Sequence, residues 1–215
     1  MQMNLIVSGF EAFGDLSKNP TIDILHTLEQ EKVDDVTITT VTLPVVYNSC
    51  FNALSELIDS INPDAILCLG VAAGRASIQP ERVGINLEDL SAEGQGRDND
   101  GDRPIERRIL REAPDAYFST LPNARIAAEI MAGEIPARVS NSAGTFICNT
   151  VLFKLMHKIK ADSRDIPAGF IHVPATPDMV TKRPDLPSMH IDDQVKGIRR
   201  AILVIRDTIM YDSKR

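Results

Sequence analysis

The chain has 215 residues, 43% of them apolar and 25% charged, a balance that excludes disordered and collagen-like polymers. Its net charge is −7, from 30 acidic and 23 basic residues, which argues against nucleic acid or an anionic membrane as the main partner. The three cysteines, Cys50, Cys68 and Cys148, form no CxxC pair and are odd in number, so neither a disulfide scaffold nor a structural zinc site is expected. No apolar run approaches the roughly eighteen residues of a membrane-spanning helix. Met1 to Phe10 lacks the basic start and long apolar stretch of a signal peptide. The expectation is a cytoplasmic protein with reduced thiols, built as one domain over residues 1–215.

In chain order, Asn4 to Gly9 is an apolar run ending in glycine, an opening strand. Asn19 and Pro20 supply a helix cap and a proline at the first helical position, and Ile22, Leu25 and Leu28 follow at helical spacing. Val36 to Leu43 is β-branched and alternating, a strand. Cys50, Phe51, Leu54, Leu57, Ile58 and Ile61 mark an amphipathic helix over residues 47–61, stopped by Asn62 and Pro63. Ala65 to Leu69 is continuously apolar, as a buried parallel strand should be. Residues 91–104 are rich in glycine and charge and predict a loop. Tyr117 to Leu121 and Asn123 to Ala132 repeat the strand–helix alternation, and Ala137 to Ser140 is a short strand. Cys148 to Ile159 carries a helical apolar face, and Phe170 to Val173 is a strand. A proline-rich loop over residues 174–187 precedes a final helix through Ile191, Val195, Ile198, Ile202, Ile205 and Ile209. Such alternation implies a three-layer α/β/α sandwich around a largely parallel mixed sheet.

The candidate chemistry begins at Cys148. The stretch from Ser140 to Lys158 passes from small polar residues through Gly144 into a helix, which sets Cys148 at or near a helix N-terminus. Helix-end N–H groups and the dipole stabilise a thiolate there, and the same N–H groups can receive an oxyanion. The plainer alternative is a small apolar residue on the helix's inner face. Cys68, inside a strand, and Cys50, on a helix face, read as packing residues. A nucleophilic thiol needs a base. His26 and His157 lie within helices and His190 precedes the last one. His172 ends an apolar strand, where open α/β sheets place their crevice, and is preferred by elimination. Asp64, Glu81, Glu88, Asp89 and Asp178 are all conceivable acceptors to orient the imidazole. Phosphate-loop, dinucleotide-loop, HExxH and GxSxG motifs are absent from the sequence.

Four motifs in order carry a resemblance: GFEAFG at residues 9–14 followed by Asn19 and Pro20, GRASIQPERVGIN around Glu81, SNSAGTFICN around Cys148, and FIHVP around His172. Along essentially its whole length the chain resembles the pyroglutamyl peptidase type I family. The resemblance implies an α/β/α sandwich, a Cys148–His172–Glu81 triad, no metal or cofactor, and removal of an N-terminal pyroglutamyl residue from peptides. It also implies a homotetramer. It assigns the lactam ring to Phe10, Phe13 and Phe146, and adds Asn19 and Val71 as further substrate-binding positions. The chain departs from the family pattern at Ala12, where proline is usual, at Val71, where glutamine is common, at Gln79, where serine or threonine is usual, and at Gly84, where alanine is usual. The stretch at residues 90–97 looks longer than the family's link, and Arg97 is the nearest counterpart of an arginine found there. Two rivals stand beside this reading. One is a peptidase-like binding protein without activity. The other is a further α/β hydrolase or phosphorylase-like enzyme, which would need a phosphate or ribose site.

Overall fold

The computed structural model describes residues 2–14, 18–30, 33, 35–91 and 96–212. Its elements run β1 (Met3–Phe10), α1 (Pro20–Gln30), β2 (Val36–Leu43), α2 (Asn52–Ile61), β3 (Ala65–Val71), β4 (Gln79–Pro80), β5 (Val83–Ile85) and β6 (Ala116–Phe118). They continue with α3 (Asn123–Ala132), α4 (Ile147–Ala161), β7 (Ala168–Val173) and α5 (Ile191–Asp212).

The main sheet has the order β2-β1-β3-β7-β4. Its first four strands are parallel, and β4 runs antiparallel beside β7. Side chains on a strand alternate between faces, and that alternation divides the core in two. Leu5 and Val7 of β1, Leu67 and Leu69 of β3, and Ile171 and Val173 of β7 pack with α1, α3 and α5. Ile6 and Phe10, Ile66 and Cys68, and Ala168 and Phe170 pack with α2 and α4 on the opposite face. These are the two helical layers that the alternating sequence implies. By the same parity Gly70 and His172, paired in register on β3 and β7, turn toward the α4 face.

Local signals explain several boundaries. Asn19 accepts from the Thr21 N–H at 3.2 Å, capping α1 with Pro20 at its first position. Asn62 ends α2 in the left-handed conformation, with φ of 50°. The helix read over residues 47–61 is shorter than expected: residues 47–51 form turns before α2 begins.

Two strand expectations change. The strand read over Tyr117 to Leu121 is only Ala116–Phe118, and it pairs antiparallel with β5 in a separate two-stranded sheet. Its residues are exposed or half-buried, so it lacks the apolar run that a strand buried on both faces requires. Ala137 to Ser140 lies alongside residues 78–82 through three backbone hydrogen bonds of 2.9–3.1 Å, but only isolated bridges result. Pro80 has no N–H to give to that ladder, which interrupts it.

Candidate active site

The cavity of interest, about 780 Å³, opens at the carboxyl ends of the parallel strands. Phe10, Val71 and His172, at or next to the ends of β1, β3 and β7, contribute to its wall. This is the crevice position of open α/β sheets. Cys148, Phe13, Asn19 and Phe146 complete the set of cavity-lining residues that the sequence singled out.

Cys148 is the second residue of α4 and half-buried. Gly144, with φ of 80°, turns the chain into this helix in the left-handed region that favours glycine. Phe146 at the N-cap is extended, and no side chain caps the helix. The start of α4 is tied down from the other side. Buried Asn149 accepts from the Ile85 N–H at 2.9 Å and donates to the Ile85 and Leu87 carbonyls at 2.8 and 2.9 Å. The amide thus makes three hydrogen bonds to one neighbouring segment, which fixes the register of α4 against β5.

Glycine at position 70 gives the sulfur its space. A Cβ built there would lie 2.9 Å from Cys148 Sγ and 2.7 Å from the Phe170 ring. Gly70 pairs in register with His172, so the sulfur is seated against the strand next to the histidine's.

His172 Nδ1 lies 2.7 Å from Glu81 Oε1, and both side chains are buried. Burial pushes the Glu81 carboxyl up, but the His172 hydrogen bond, His172 charge, Ser140 and Arg75 outweigh it, so the group sits below its usual range. An ionised carboxylate only accepts, so Nδ1 carries the proton and Nε2 is the remaining ring nitrogen. Glu81 is held by its backbone as well, its N–H donating to the Phe170 carbonyl at 2.9 Å.

The other conceivable acceptors are engaged elsewhere. Asp64 receives the Asn4 N–H, Glu88 pairs with Arg107, Asp89 receives Ser91, and Asp178 pairs with Lys18. His157 meets the Tyr117 hydroxyl, and exposed His190 faces Asp192. Cys50 and Cys68 are fully buried, and burial pushes both thiols up to about 12. They are packing residues, as expected.

Sequence reasoning missed Arg75. Its Nη1 lies 2.6 Å from the same Glu81 oxygen that His172 meets and 2.9 Å from Gln79 Oε1, and its Nη2 donates to the Ser142 carbonyl at 3.0 Å. The departure at Gln79 is therefore a working contact of this chain. Arg75 stands in the motif around Glu81, but nothing in its spacing, within an irregular stretch, signals the pairing.

The rings form two groups. Phe13 and Phe146 have centroids 5.8 Å apart, Tyr47 meets Phe146 edge-on at 5.7 Å, and buried Phe10 leans on Phe170 at 6.3 Å. Asn19 spends its side chain on the α1 cap and on the Glu11 carbonyl. Val71 closes β3 as a buried residue of the wall. Of the long loop, residues 92–95 lie outside the described residues. Beyond them Asp98 accepts N–H groups of Tyr47, Asp100 and Asp102, and Arg97 donates to the Gly101 carbonyl at 2.6 Å. Asn99 donates to Glu11 and to the Ala12 carbonyl, joining this loop to the one that carries Phe13.

An α/β/α sandwich with a thiol, an imidazole and a carboxylate gathered at the carboxyl edge of its sheet is the architecture of a cysteine-type peptidase. A family profile described as pyroglutamyl peptidase matches residues 3–208, and the chain belongs to that family. It is 37% identical over 203 residues to the pyrrolidone-carboxylate peptidase of Clostridium perfringens, covering 94% of this chain and 93% of that one. Among solved structures, pyroglutamyl peptidase I of Bacillus amyloliquefaciens superposes with a TM-score of 0.90 at 34% identity, over 95% of each chain. Pyrrolidone carboxyl peptidase of Thermococcus litoralis gives 0.92 at 35% identity, over 98% of this chain and 96% of that one. Among the described residues, no helix is long and apolar enough to cross a membrane.

Proposed function

We propose that the chain removes an N-terminal pyroglutamyl residue from peptides, with Cys148 as nucleophile, His172 as base and acid, and Glu81 as the group that orients the imidazole. The carrying observation is the 2.7 Å His172–Glu81 pair beside a sulfur seated against Gly70 in one cavity. The Cys148 thiolate adds to the pyroglutamyl carbonyl carbon, forming a C–S bond. N–H groups of the uncapped α4 start receive the oxyanion. As the C–N bond breaks, His172 gives its proton to the departing amine. Water, deprotonated by His172, then cleaves the thioester, releasing pyroglutamate and the thiol.

Specificity follows from the wall. Pyroglutamate is a flat, uncharged lactam without a free α-amine. The rings of Phe13, Phe146 and Phe10 suit its faces. A free ammonium in that ring-lined space is costly unless paired, so ordinary aminopeptidase substrates are rejected. Asn19 acts here by holding the loop before α1, and Val71 by its main chain at the end of β3. The odd count of three cysteines, without a CxxC pair, supports a reducing, cytoplasmic setting. The homotetramer implied by the resemblance belongs to the same proposal, with Phe118, 71% exposed on β6, as a candidate contact.

The test is release of a chromogenic amine from its pyroglutamyl amide. Wild type should turn over, and Cys148→Ala, shown folded by circular dichroism, should retain none of the activity. Full activity in that variant would remove Cys148 from the chemistry.

A further inference from the structure

The cavity is charged in one sense. Arg75, Arg97, Lys182 and Arg183 line it, and among the described residues no aspartate or glutamate does. The bias runs against the chain, which carries 30 acidic and 23 basic residues. Arg75 is accounted for by Glu81. The other three have no carboxylate partner among the described residues.

Their positions are fixed by backbone contacts rather than by ion pairs. Lys182 and Arg183 follow the short 3-10 turn Pro177–Val180, which begins four residues after β7. The Arg183 N–H donates to the Val180 carbonyl at 2.8 Å, and the Leu186 N–H to the Arg183 carbonyl at 3.0 Å. The acid on this turn, Asp178, is already neutralised by Lys18 at 2.6 Å. Arg97 arrives from the separate loop anchored by buried Asp98, whose carboxylate is taken up by backbone N–H groups.

A lactam has no charge to offer these cations. The peptide beyond the scissile bond does. A cleft lined by charges of one sign concentrates its field and its counter-charge. We propose that Arg97, Lys182 and Arg183 form a leaving-peptide subsite that favours substrates carrying a carboxylate within the first residues after pyroglutamate. This inference rests on the peptidase reading above. The carboxylate can be an aspartate or glutamate side chain, or the C-terminus of a very short peptide.

The experiment compares kcat/KM for pyroglutamyl-alanine amide, pyroglutamyl-alanine, pyroglutamyl-glutamate α-amide, whose γ-carboxylate is free, and pyroglutamyl-lysine amide. Exposed ion pairs are individually weak, so the carboxylate-bearing peptides should exceed the neutral amide by about 3–10-fold at low salt. The preference should fade as ionic strength rises from about 0.01 M to about 0.15 M, where the screening length falls from about 30 Å to about 8 Å. A gain for pyroglutamyl-alanine alone assigns the site to chain ends, and a gain for the glutamate peptide assigns it to side chains. Lys182→Glu with Arg183→Glu should reverse the order in favour of the lysine peptide. Because each comparison is a ratio within one preparation, a partly folded variant does not distort it. Equal values for all peptides at both salts, with the neutral amide cleaved, overturn the subsite alone. No hydrolysis of any peptide overturns the peptidase reading and this subsite with it.

Discussion

Cys148 Sγ lies 2.9 Å from the point where a Cβ on Gly70 would stand. That glycine is the residue of β3 in register with His172. One added methyl would therefore press on the sulfur from the strand beside the histidine. On the other side it would meet the Phe170 ring at 2.7 Å, so it has no empty direction. Overpacking of this kind costs about 1–3 kcal/mol of stability. Displacing a reacting atom by about 1 Å costs roughly 10²-fold in rate. Gly70→Ala should keep a folded chain with a lowered Tm and lose about 10²-fold in kcat on a pyroglutamyl amide. Wild-type kcat in this variant would show that the sulfur's seat does not matter.

The three thiols should separate cleanly under alkylation. Cys50 and Cys68 are fully buried, with their thiols pushed up to about 12, so neither supplies a reactive thiolate at neutral pH. Cys148 lines the cavity. Iodoacetamide on the native protein should add one label, mapped by peptide mass to Cys148, with loss of activity in step. The rate should half-rise below the ordinary thiol value of about 8.5. A midpoint at that value, or labelling of Cys68 at a similar rate, would contradict the proposed ion pair.

Much of this arrangement was legible in the sequence, and the exceptions have physical causes. The long apolar runs became β1, β3 and β7, because a strand buried on both faces leaves a continuous apolar stretch. Cys148 and His172 were readable from their places at a helix start and a strand end. Glu81 was one of five acids by spacing alone, and only the motif resemblance singled it out. What orients it escaped notice because the joining backbone is irregular. β4 is two residues long, too short for any period, yet it pairs Gln79 with His172 and brings Glu81 within reach of Nδ1 of the imidazole. Arg75 and Gly70 escaped for the same kind of reason. Each matters through a contact across the sheet or the turn, not through a pattern along the chain.

Glu81 predicts an acid limb in stability. Burial raises its carboxyl, but His172 and Arg75 bring it below the ordinary 4.5. A carboxyl lowered on folding adds stability that is present above its unfolded value and is lost as pH falls through the folded one. Tm should therefore drop as the pH falls below about 4.5. Glu81→Gln should start lower at neutral pH, since breaking a buried pair costs about 3–5 kcal/mol. Its Tm should then vary less over the same acid range. Parallel Tm curves for the two proteins below pH about 4.5 would refute the linkage.

Phe13 offers the sharpest test of the ring-lined wall. It is half-buried and meets Phe146 at 5.8 Å, whereas Phe10 is buried against Phe170. Removing Phe10 would open the core at about 3–5 kcal/mol, so any loss of activity there would be ambiguous. Phe13→Ala removes one ring face with a smaller effect on the fold. An aromatic contact contributes about 0.5–1.5 kcal/mol beyond its area, so kcat/KM on a pyroglutamyl amide should fall roughly ten-fold, mostly through KM. Phe13→Leu, which restores apolar area but not the flat face, should recover only part of the loss. Equal recovery by leucine would mean that bulk rather than the ring face binds the lactam, and an unchanged kcat/KM in Phe13→Ala would take Phe13 out of the pocket.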